Sequence, residues 1–120
     1  RDYKVTGVQT CALPIYPQVA LARALMSGGG TLVTFTLHGG KDAAFRFCNA
    51  LRLVDISNNL GDARSLITHP ATTTHMRIGA EERGRLGISD GTLRLSVGLE
   101  DVEDLRDDLE RGLNATGGTP

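Results

Sequence analysis

The residue best suited to bind a ligand is an arginine in the middle of a predicted strand. Residues 92–97 alternate between polar and apolar side chains, which places Arg94 on the polar face of that strand. Its guanidinium presents a planar fork of N–H donors that matches a carboxylate bidentately, as a site for an amino-acid α-carboxylate requires. An arginine in this position is also an ordinary surface residue, and composition alone leaves both interpretations open.

Other residues that could do chemistry lack the partners they would need. His69 and His75 lie six residues apart and His38 lies elsewhere, with no cysteine or carboxylate at ligand spacing, so no metal site is predicted. Glycines 28–30 follow a predicted helix and precede a predicted strand. That order indicates a helix end and turn, because a phosphate loop needs a strand before it and a helix after it. No Ser-His-Asp order or nucleophile elbow occurs.

The elements that position these residues follow from hydrophobic periodicity. Helices are predicted over residues 17–27, 41–51, 81–86 and 101–113, and strands over residues 31–37, 53–57, 65–68 and 92–97. This order predicts an α+β fold, with a small mixed or antiparallel sheet and helices on one side. Asp101 is predicted to cap the last helix, whose acidic side is expected to face solvent.

One long stretch between the predicted elements has little periodicity. Residues 58–77 contain many small polar side chains and few charges. Loops of this length inside a compact domain are usually functional or disordered, and the shortage of charges argues against disorder. The stretch is therefore a second candidate for a functional region.

Length and composition exclude several classes of protein. The 120 residues contain 13 basic and 14 acidic side chains, a net charge of −1. No basic run favours a nucleic-acid partner, and no apolar run is long enough to cross a membrane. Two cysteines cannot form a disulfide framework, so a reducing compartment, the cytoplasm, is expected. A soluble globular domain is predicted.

The first fifteen residues resemble something other than a protein. Residues 5–15, VTGVQTCALPI, match the translation of a common sequencing-adapter oligonucleotide, and residues 1–4 fit its upstream bases. We therefore predict that residues 1–15 are an adapter-derived artefact. Their removal changes the net charge to −2 and leaves Cys48 as the one remaining thiol, expected in the core. The rest, beginning near Tyr16 without a Met, is expected to be a C-terminal fragment.

Four sequence blocks carry a resemblance to a known family. They are NLGDARSLI at 59–67, HPATTTH at 69–75, GISDG at 87–91 and LRLSVGLED at 93–101. In this order and spacing they resemble the C-terminal domain of the transsulfuration enzymes, the fold-type I, pyridoxal-phosphate (PLP) dependent family of Cys and Met metabolism. The resemblance covers residues 16–113, and residues 114–120 are expected to be a flexible tail. The ISNNLGD wording at 56–62 is most similar to the O-succinylhomoserine sulfhydrylases of that family.

The resemblance implies roles for four residues. It assigns the substrate α-carboxylate to Arg94, in the RLSVG block. It places Asn59 where the family usually has a Ser that contacts the same carboxylate, so its role departs from the family pattern. Thr74, before the His of the HPATTTH block, is implied to border the same pocket. Asn58 falls where the family tunes substrate and reaction preference.

The resemblance also implies a reaction. A γ-replacement on PLP would convert O-succinylhomoserine, or a similar activated homoserine, and sulfide or a thiol into homocysteine in methionine biosynthesis. The PLP-binding Lys and the other cofactor residues of such enzymes lie in the large domain. Lys41, the one Lys after residue 15, is expected on the surface, so no catalytic or cofactor-binding residue is predicted here. This fragment alone is expected to be inactive, and its parent a homotetramer.

Two alternatives stay open. The parent could be a cystathionine γ-synthase or γ-lyase of the same family, which usually carry SLGG where this chain has NLGD at 59–62. The chain could also be a free-standing small α/β ligand-binding or regulatory domain. Stoichiometric binding of PLP by the 120-residue chain itself would favour the free-standing domain.

Overall fold

The fold is a five-stranded mixed sheet with two long helices packed on one face. The computed structural model describes residues 5–9 and 17–116. Its helices and strands are β1 (Val5–Gln9), α1 (Val19–Leu25), β2 (Leu32–Leu37), α2 (Gly40–Ala50), β3 (Asp55–Ile56), β4 (Leu66–Thr68), α3 (Ala80–Arg85), β5 (Thr92–Ser96) and α4 (Val102–Ala115). Two 3₁₀ helices, Pro70–Thr72 and Met76–Ile78, follow β4. The sheet order is β1-β2-β5-β4-β3, with β3 and β4 parallel and all other pairs antiparallel. The predicted α+β class with a mixed sheet is confirmed.

The main core lies between the sheet and the helices α2 and α4, on the side that we name the helix face. Phe47 of α2 is buried against the sheet and packs edge-on to Phe35, with ring centroids 5.5 Å apart. Leu93 of β5 is completely buried in the same core. Gly112 lets α4 approach α2, because a Cβ at this position would meet the Phe47 ring. The hydrophobic periodicity of these elements matches their burial, except that Val102 at the start of α4 is 67% exposed.

The N-terminus of α4 forms as its sequence predicts. The Asp101 carboxylate accepts hydrogen bonds from the main-chain N–H groups of Glu103 and Asp104, at 3.0 and 3.2 Å. These bonds satisfy two of the donors that a helix leaves free in its first turn. Asp101 is therefore the N-cap of α4.

The prediction of a solvated acidic side of α4 is wrong at Asp108. This side chain is completely buried and accepts hydrogen bonds from the main-chain N–H groups of Arg52, Leu53 and Val54, at 2.7–3.0 Å. Burial alone raises the pKa of the Asp108 carboxyl, but these three donors and the charge of Arg111 outweigh it and hold the pKa below its usual value. Asp108 thus ties α4 to the segment that joins α2 to β3.

The predicted start of the C-terminal tail needs correction. The tail was expected from residue 114, but α4 continues to Ala115, and Thr116 is buried with its carbonyl accepting from Arg46 Nη1 at 2.9 Å. Residues 117–120 lie outside the described residues.

The apolar side chains of the first helix are uncovered in this chain. No residue of α1 is buried, and Leu25 is 74% exposed.

A strand lies where the sequence has no strand period. β1 pairs antiparallel with β2 at one edge of the sheet. An edge strand offers unpaired main-chain groups that an added segment can use largely independently of its side chains. This pairing is therefore compatible with many sequences and leaves the adapter interpretation of residues 1–15 a prediction. Residues 1–4 and 10–16 lie outside the described residues.

Candidate functional site

The candidate site lies on the side of the sheet opposite the helices, which we name the loop face. The alternation of β5 that buries Leu93 in the core directs Thr92, Arg94 and Ser96 to this face. Thr92 and Ser96 are 2% and 1% exposed. The predicted polar side of the strand is therefore largely buried, and Arg94 and Ser96 bond the irregular segment between β3 and α3.

Arg94 stands in the centre of the loop face. Its register partners are Thr34 on β2 and Thr68 on β4. Arg94 is half-buried, and its Nη2 donates to the main-chain carbonyl of Asn58 at 2.8 Å. A guanidinium has five N–H donors, and no carboxylate pairs with Arg94 within residues 17–116. The remaining donors are available to an incoming anion.

Asn58 connects Arg94 to a buried hydroxyl. The Oδ1 atom of Asn58 accepts from Thr68 Oγ1 at 2.8 Å, while its carbonyl holds Arg94. Thr68 Oγ1 also lies 3.0 Å from Thr73 Oγ1, which donates to the His69 carbonyl at 2.7 Å. The structure therefore brings Asn58 and Arg94 into direct contact, and the hydroxyl of Thr68 holds the Asn58 side chain.

The loop after Asn58 is fixed to β5 by a second bond. The N–H of Gly61 donates to Ser96 Oγ at 2.9 Å. Gly61 has a φ of +75°, a left-handed conformation that favours glycine. Ser96 and Arg94 lie two residues apart on the same face of β5, so both hold the same loop.

The end of this loop is clamped by Glu100. Its carboxylate accepts from the main-chain N–H and the hydroxyl of Ser65, at 2.8 and 2.7 Å. Burial raises the pKa of the Glu100 carboxyl, but the bonds from Ser65 and the charge of Arg64 outweigh this and lower the pKa below its usual value. Gly98 packs against the same segment, where a Cβ would overlap the carbonyl oxygen of Ala63.

The structure places the other two predicted site residues at the edge of this network. Asn59 is exposed, and its main-chain N–H donates to Ser57 Oγ at 3.2 Å. Thr74 is also exposed, with its Oγ1 2.8 Å from Nδ1 of His75. No hydrogen bond joins either residue to Arg94 in the described part of the chain. Thr73, rather than Thr74, is the threonine of the HPATTTH block that reaches the Asn58 network.

Other reactive side chains on or near the site are already hydrogen-bonded or are buried. His69 Nδ1 lies 2.8 Å from Thr72 Oγ1, and its Nε2 lies 2.5 Å from the Asp90 carbonyl. Burial raises the pKa of the Cys48 thiol to about 11, which disfavours the nucleophilic thiolate. Within the described ranges, no cluster of three or more His, Cys, Asp or Glu could hold a metal, and no helix is long and apolar enough to span a membrane.

Sequence reasoning missed three residues that build this site. Thr68, Ser96 and Glu100 are polar residues whose partners lie 10 or 35 positions away in sequence. The polar alternation of β5 pointed to Ser96, but it does not reveal which loop covers that face. The pairing of β4 with β5 would have been needed to identify Thr68 as the neighbour of Arg94.

Comparison with known proteins identifies the source of this architecture. The family model described as Cys/Met metabolism PLP-dependent enzyme matches residues 1–114. The O-succinylhomoserine sulfhydrylase of Mycobacterium tuberculosis is 55% identical over 106 residues, which are 85% of this chain and 26% of that protein. The chain belongs to the Cys/Met metabolism family of PLP-dependent enzymes.

Two further family members match almost the whole chain. The L-methionine gamma-lyase of Pseudomonas putida is 49% identical over 116 residues, 97% of this chain and 29% of that protein. The crystal structure of cystathionine gamma synthase from Xanthomonas oryzae pv. oryzae, in complex with cystathionine, has a TM-score of 0.89 at 42% identity and covers 96% of this chain. The chain spans between 26% and 30% of the lengths of these three proteins.

The described residues include no Lys suited to bind the PLP cofactor of this family covalently. A Lys that binds PLP covalently needs a lowered pKa, which burial or a neighbouring cation provides. Lys41 is the one Lys within the described ranges, and it is exposed at the start of α2. Its Nζ lies 5.7 Å from the centroid of the Phe45 ring, a surface cation–π contact.

Proposed function

We propose that this chain is the substrate-carboxylate-binding C-terminal domain of a PLP-dependent γ-replacement enzyme. The whole protein would convert O-succinylhomoserine, or a similar activated homoserine, and sulfide into homocysteine. The cofactor and the groups that move protons would belong to the rest of that protein. The contribution of this chain would be to bind the amino-acid substrate and orient it.

The observation that carries the proposal is the state of Arg94. Its guanidinium is half-buried in the middle of the sheet, holds one main-chain carbonyl and has no carboxylate partner among residues 17–116. A cation in this setting gains a charge-assisted bidentate pair when a carboxylate arrives. Asn59 and Thr74 are exposed, and each is the sequence neighbour of a residue in the Asn58 network. They would form the rim of the pocket that receives the substrate carboxylate.

Two observations favour the sulfhydrylase over its relatives. The ISNNLGD wording resembles the sulfhydrylases, and the identity to the M. tuberculosis sulfhydrylase, 55%, exceeds the 49% to the P. putida methionine lyase. The TM-score of 0.89 to a cystathionine gamma synthase keeps that enzyme as the alternative. Product analysis separates them, because the whole protein should form homocysteine from sulfide faster than it forms cystathionine from cysteine. The reverse preference would favour the synthase.

The role of Arg94 is tested by Arg94→Ala in the whole protein. Each charge-assisted hydrogen bond to a carboxylate contributes about 1.5–3 kcal/mol, so KM for the activated homoserine should rise roughly tenfold to hundredfold. The visible absorbance of bound PLP should stay unchanged. Arg106→Ala, an exposed arginine of α4, is the matched control. A KM within about twofold of wild type in Arg94→Ala would contradict the assignment.

The domain boundaries and the setting of the protein belong to the same proposal. We propose that residues 1–15 are foreign to the natural protein, although the family match begins at residue 1. Genomic DNA read upstream of the Tyr16 codon tests this, because the natural sequence should continue into a domain with a PLP-binding Lys. A cytoplasmic homotetramer without a nucleic-acid or membrane partner is the setting that we propose for the whole protein.

A further inference from the structure

We propose that Thr68 is a positioning residue that sets the orientation of the Arg94 guanidinium through Asn58. This inference rests on the proposed role of Arg94 in binding the substrate carboxylate. It adds a residue that touches neither the substrate nor the reacting atoms. The geometry of three neighbouring groups carries it.

The first step is the place of Thr68 in the sheet. Thr68 on β4 and Arg94 on β5 are direct register partners, so their side chains project from the loop face next to each other. Thr68 is only 2% exposed, whereas Arg94 reaches the surface. A buried hydroxyl therefore lies directly beside Arg94, at the base of the candidate site.

The second step is the bridge formed by Asn58. This residue lies in an irregular segment and is exposed, so regular secondary structure does not fix it. The hydroxyl of Thr68 donates to its side-chain Oδ1, and its main-chain carbonyl accepts from Arg94 Nη2, both at 2.8 Å. One residue thus links a rigid strand to the guanidinium.

The third step is what the bridge does to the guanidinium. The guanidinium group of arginine is planar, so a hydrogen bond from Nη2 limits the rotation of all its N–H donors together. The other N–H groups then point in a defined direction before a carboxylate binds, which lowers the entropy cost of binding. Without the Thr68 hydroxyl, Asn58 is released and the fork is free to turn.

The test uses Thr68→Val and Thr68→Ser in the whole protein. Loss of one neutral hydrogen bond in Thr68→Val should raise KM for the activated homoserine about threefold to tenfold, with kcat nearly unchanged. Thr68→Ser retains the hydroxyl and should restore KM to within about twofold of wild type. Asn58→Ala removes the acceptor from an exposed position and should raise KM as Thr68→Val does, so the inference remains testable if the buried variant fails to fold.

The matched control is Thr92→Val. Thr92 is equally buried at 2%, lies on the same loop face and has a bonded hydroxyl, but its partners are Thr36 and Ser89. It should lose thermal stability while KM stays unchanged. An equal rise of KM in Thr92→Val and Thr68→Val would overturn a specific role for Thr68.

A double-mutant cycle separates this inference from the proposed function. Thr68→Val should have no further effect on KM in the Arg94→Ala background, because its effect passes through Arg94. If Arg94→Ala raises KM and Thr68→Val has the same effect in both backgrounds, only the positioning role is wrong. If Arg94→Ala itself leaves KM unchanged, the proposed function is wrong.

A crystal structure of the variant tests the role of Thr68 independently of enzyme activity. In a crystal structure of the Thr68→Val protein, Arg94 Nη2 should have left the Asn58 carbonyl. Retention of this contact near the present 2.8 Å would overturn the inference.

Discussion

On the helix face, β5 buries Leu93 among apolar side chains of the core, whereas on the loop face it uses Arg94 and Ser96 to hold a loop by hydrogen bonds. Packing on the helix face is non-directional, so many apolar combinations of similar volume would be tolerated. Bonds on the loop face are directional and each needs one partner atom. One strand therefore contributes apolar packing on one side and directional hydrogen bonds to a loop on the other.

The largest expected effect lies in the helix-face core. Phe47→Ala removes a buried ring that packs against Phe35, so the whole protein should lose about 3–5 kcal/mol of unfolding free energy in urea denaturation. Phe45→Ala, on the same helix but 41% exposed, is the control and should cost much less. Equal losses in the two variants would contradict the assignment of the core to this face.

Asp108 tests whether the helix face depends on apolar packing alone. Asp108→Ala leaves three main-chain N–H donors without their acceptor and Arg111 without its partner at 3.5 Å. We expect a loss of about 3 kcal/mol of unfolding free energy, nearly that of an apolar core residue. Asp107→Ala, at the preceding and exposed position of α4, should change stability little. A loss no larger than that of the control would contradict this role of Asp108.

Glu100 gives the loop face a dependence on pH. Because its folded pKa is lowered, its bonds to Ser65 contribute stability above the unfolded pKa of about 4.3, and this contribution is lost as the pH falls through the folded pKa. Glu100→Gln should cost about 1 kcal/mol at pH 7, since the side chain is partly exposed. The difference from wild type should shrink in urea denaturation at pH 4 and below. A difference that grows on acidification would refute the sign, and Glu110→Gln serves as the exposed control.

Arg94 should give the smallest change in stability. Arg94→Ala removes one hydrogen bond from a half-buried position, so the unfolding free energy should fall by less than about 1 kcal/mol. Thermal unfolding of the variant measures this, with Arg106→Ala as the reference. A large loss of stability together with a raised KM would make Arg94 a structural residue instead.

The sequence predicts the helix face better than the loop face, for a physical reason. The i, i+3, i+4 spacing of Ala44, Phe47 and Cys48 predicts their burial directly, because a helix repeats every 3.6 residues and places them on one side. The strand predicted over residues 65–68 is likewise observed, as β4 (Leu66–Thr68). Asp108 was misread since an acidic residue on a helix is solvated in most proteins, and its partners lie more than 50 positions away.

The loop face has no periodic signature in the sequence. The family resemblance supplied Arg94 and Asn58, and the structure places these two in contact. Thr68 could not be identified, because its role depends on the register between β4 and β5 and on the fold of an irregular loop. Hydrogen bonds between segments distant in sequence require the tertiary structure before they can be assigned.

The central strand of the sheet is also its last strand in the sequence. β5 lies between β2 and β4, so the pair β1–β2 and the pair β3–β4 have no direct sheet contact without it. During synthesis from the N-terminus, β2 and the pair β3–β4 emerge first and remain separate until residues 92–96 have left the ribosome. Two-stranded ribbons are only marginally stable in water. Arg94 therefore lies on the strand that joins β2 to the pair β3–β4, and the nascent chain cannot form the Arg94–Asn58 contact before residues 92–96 are available.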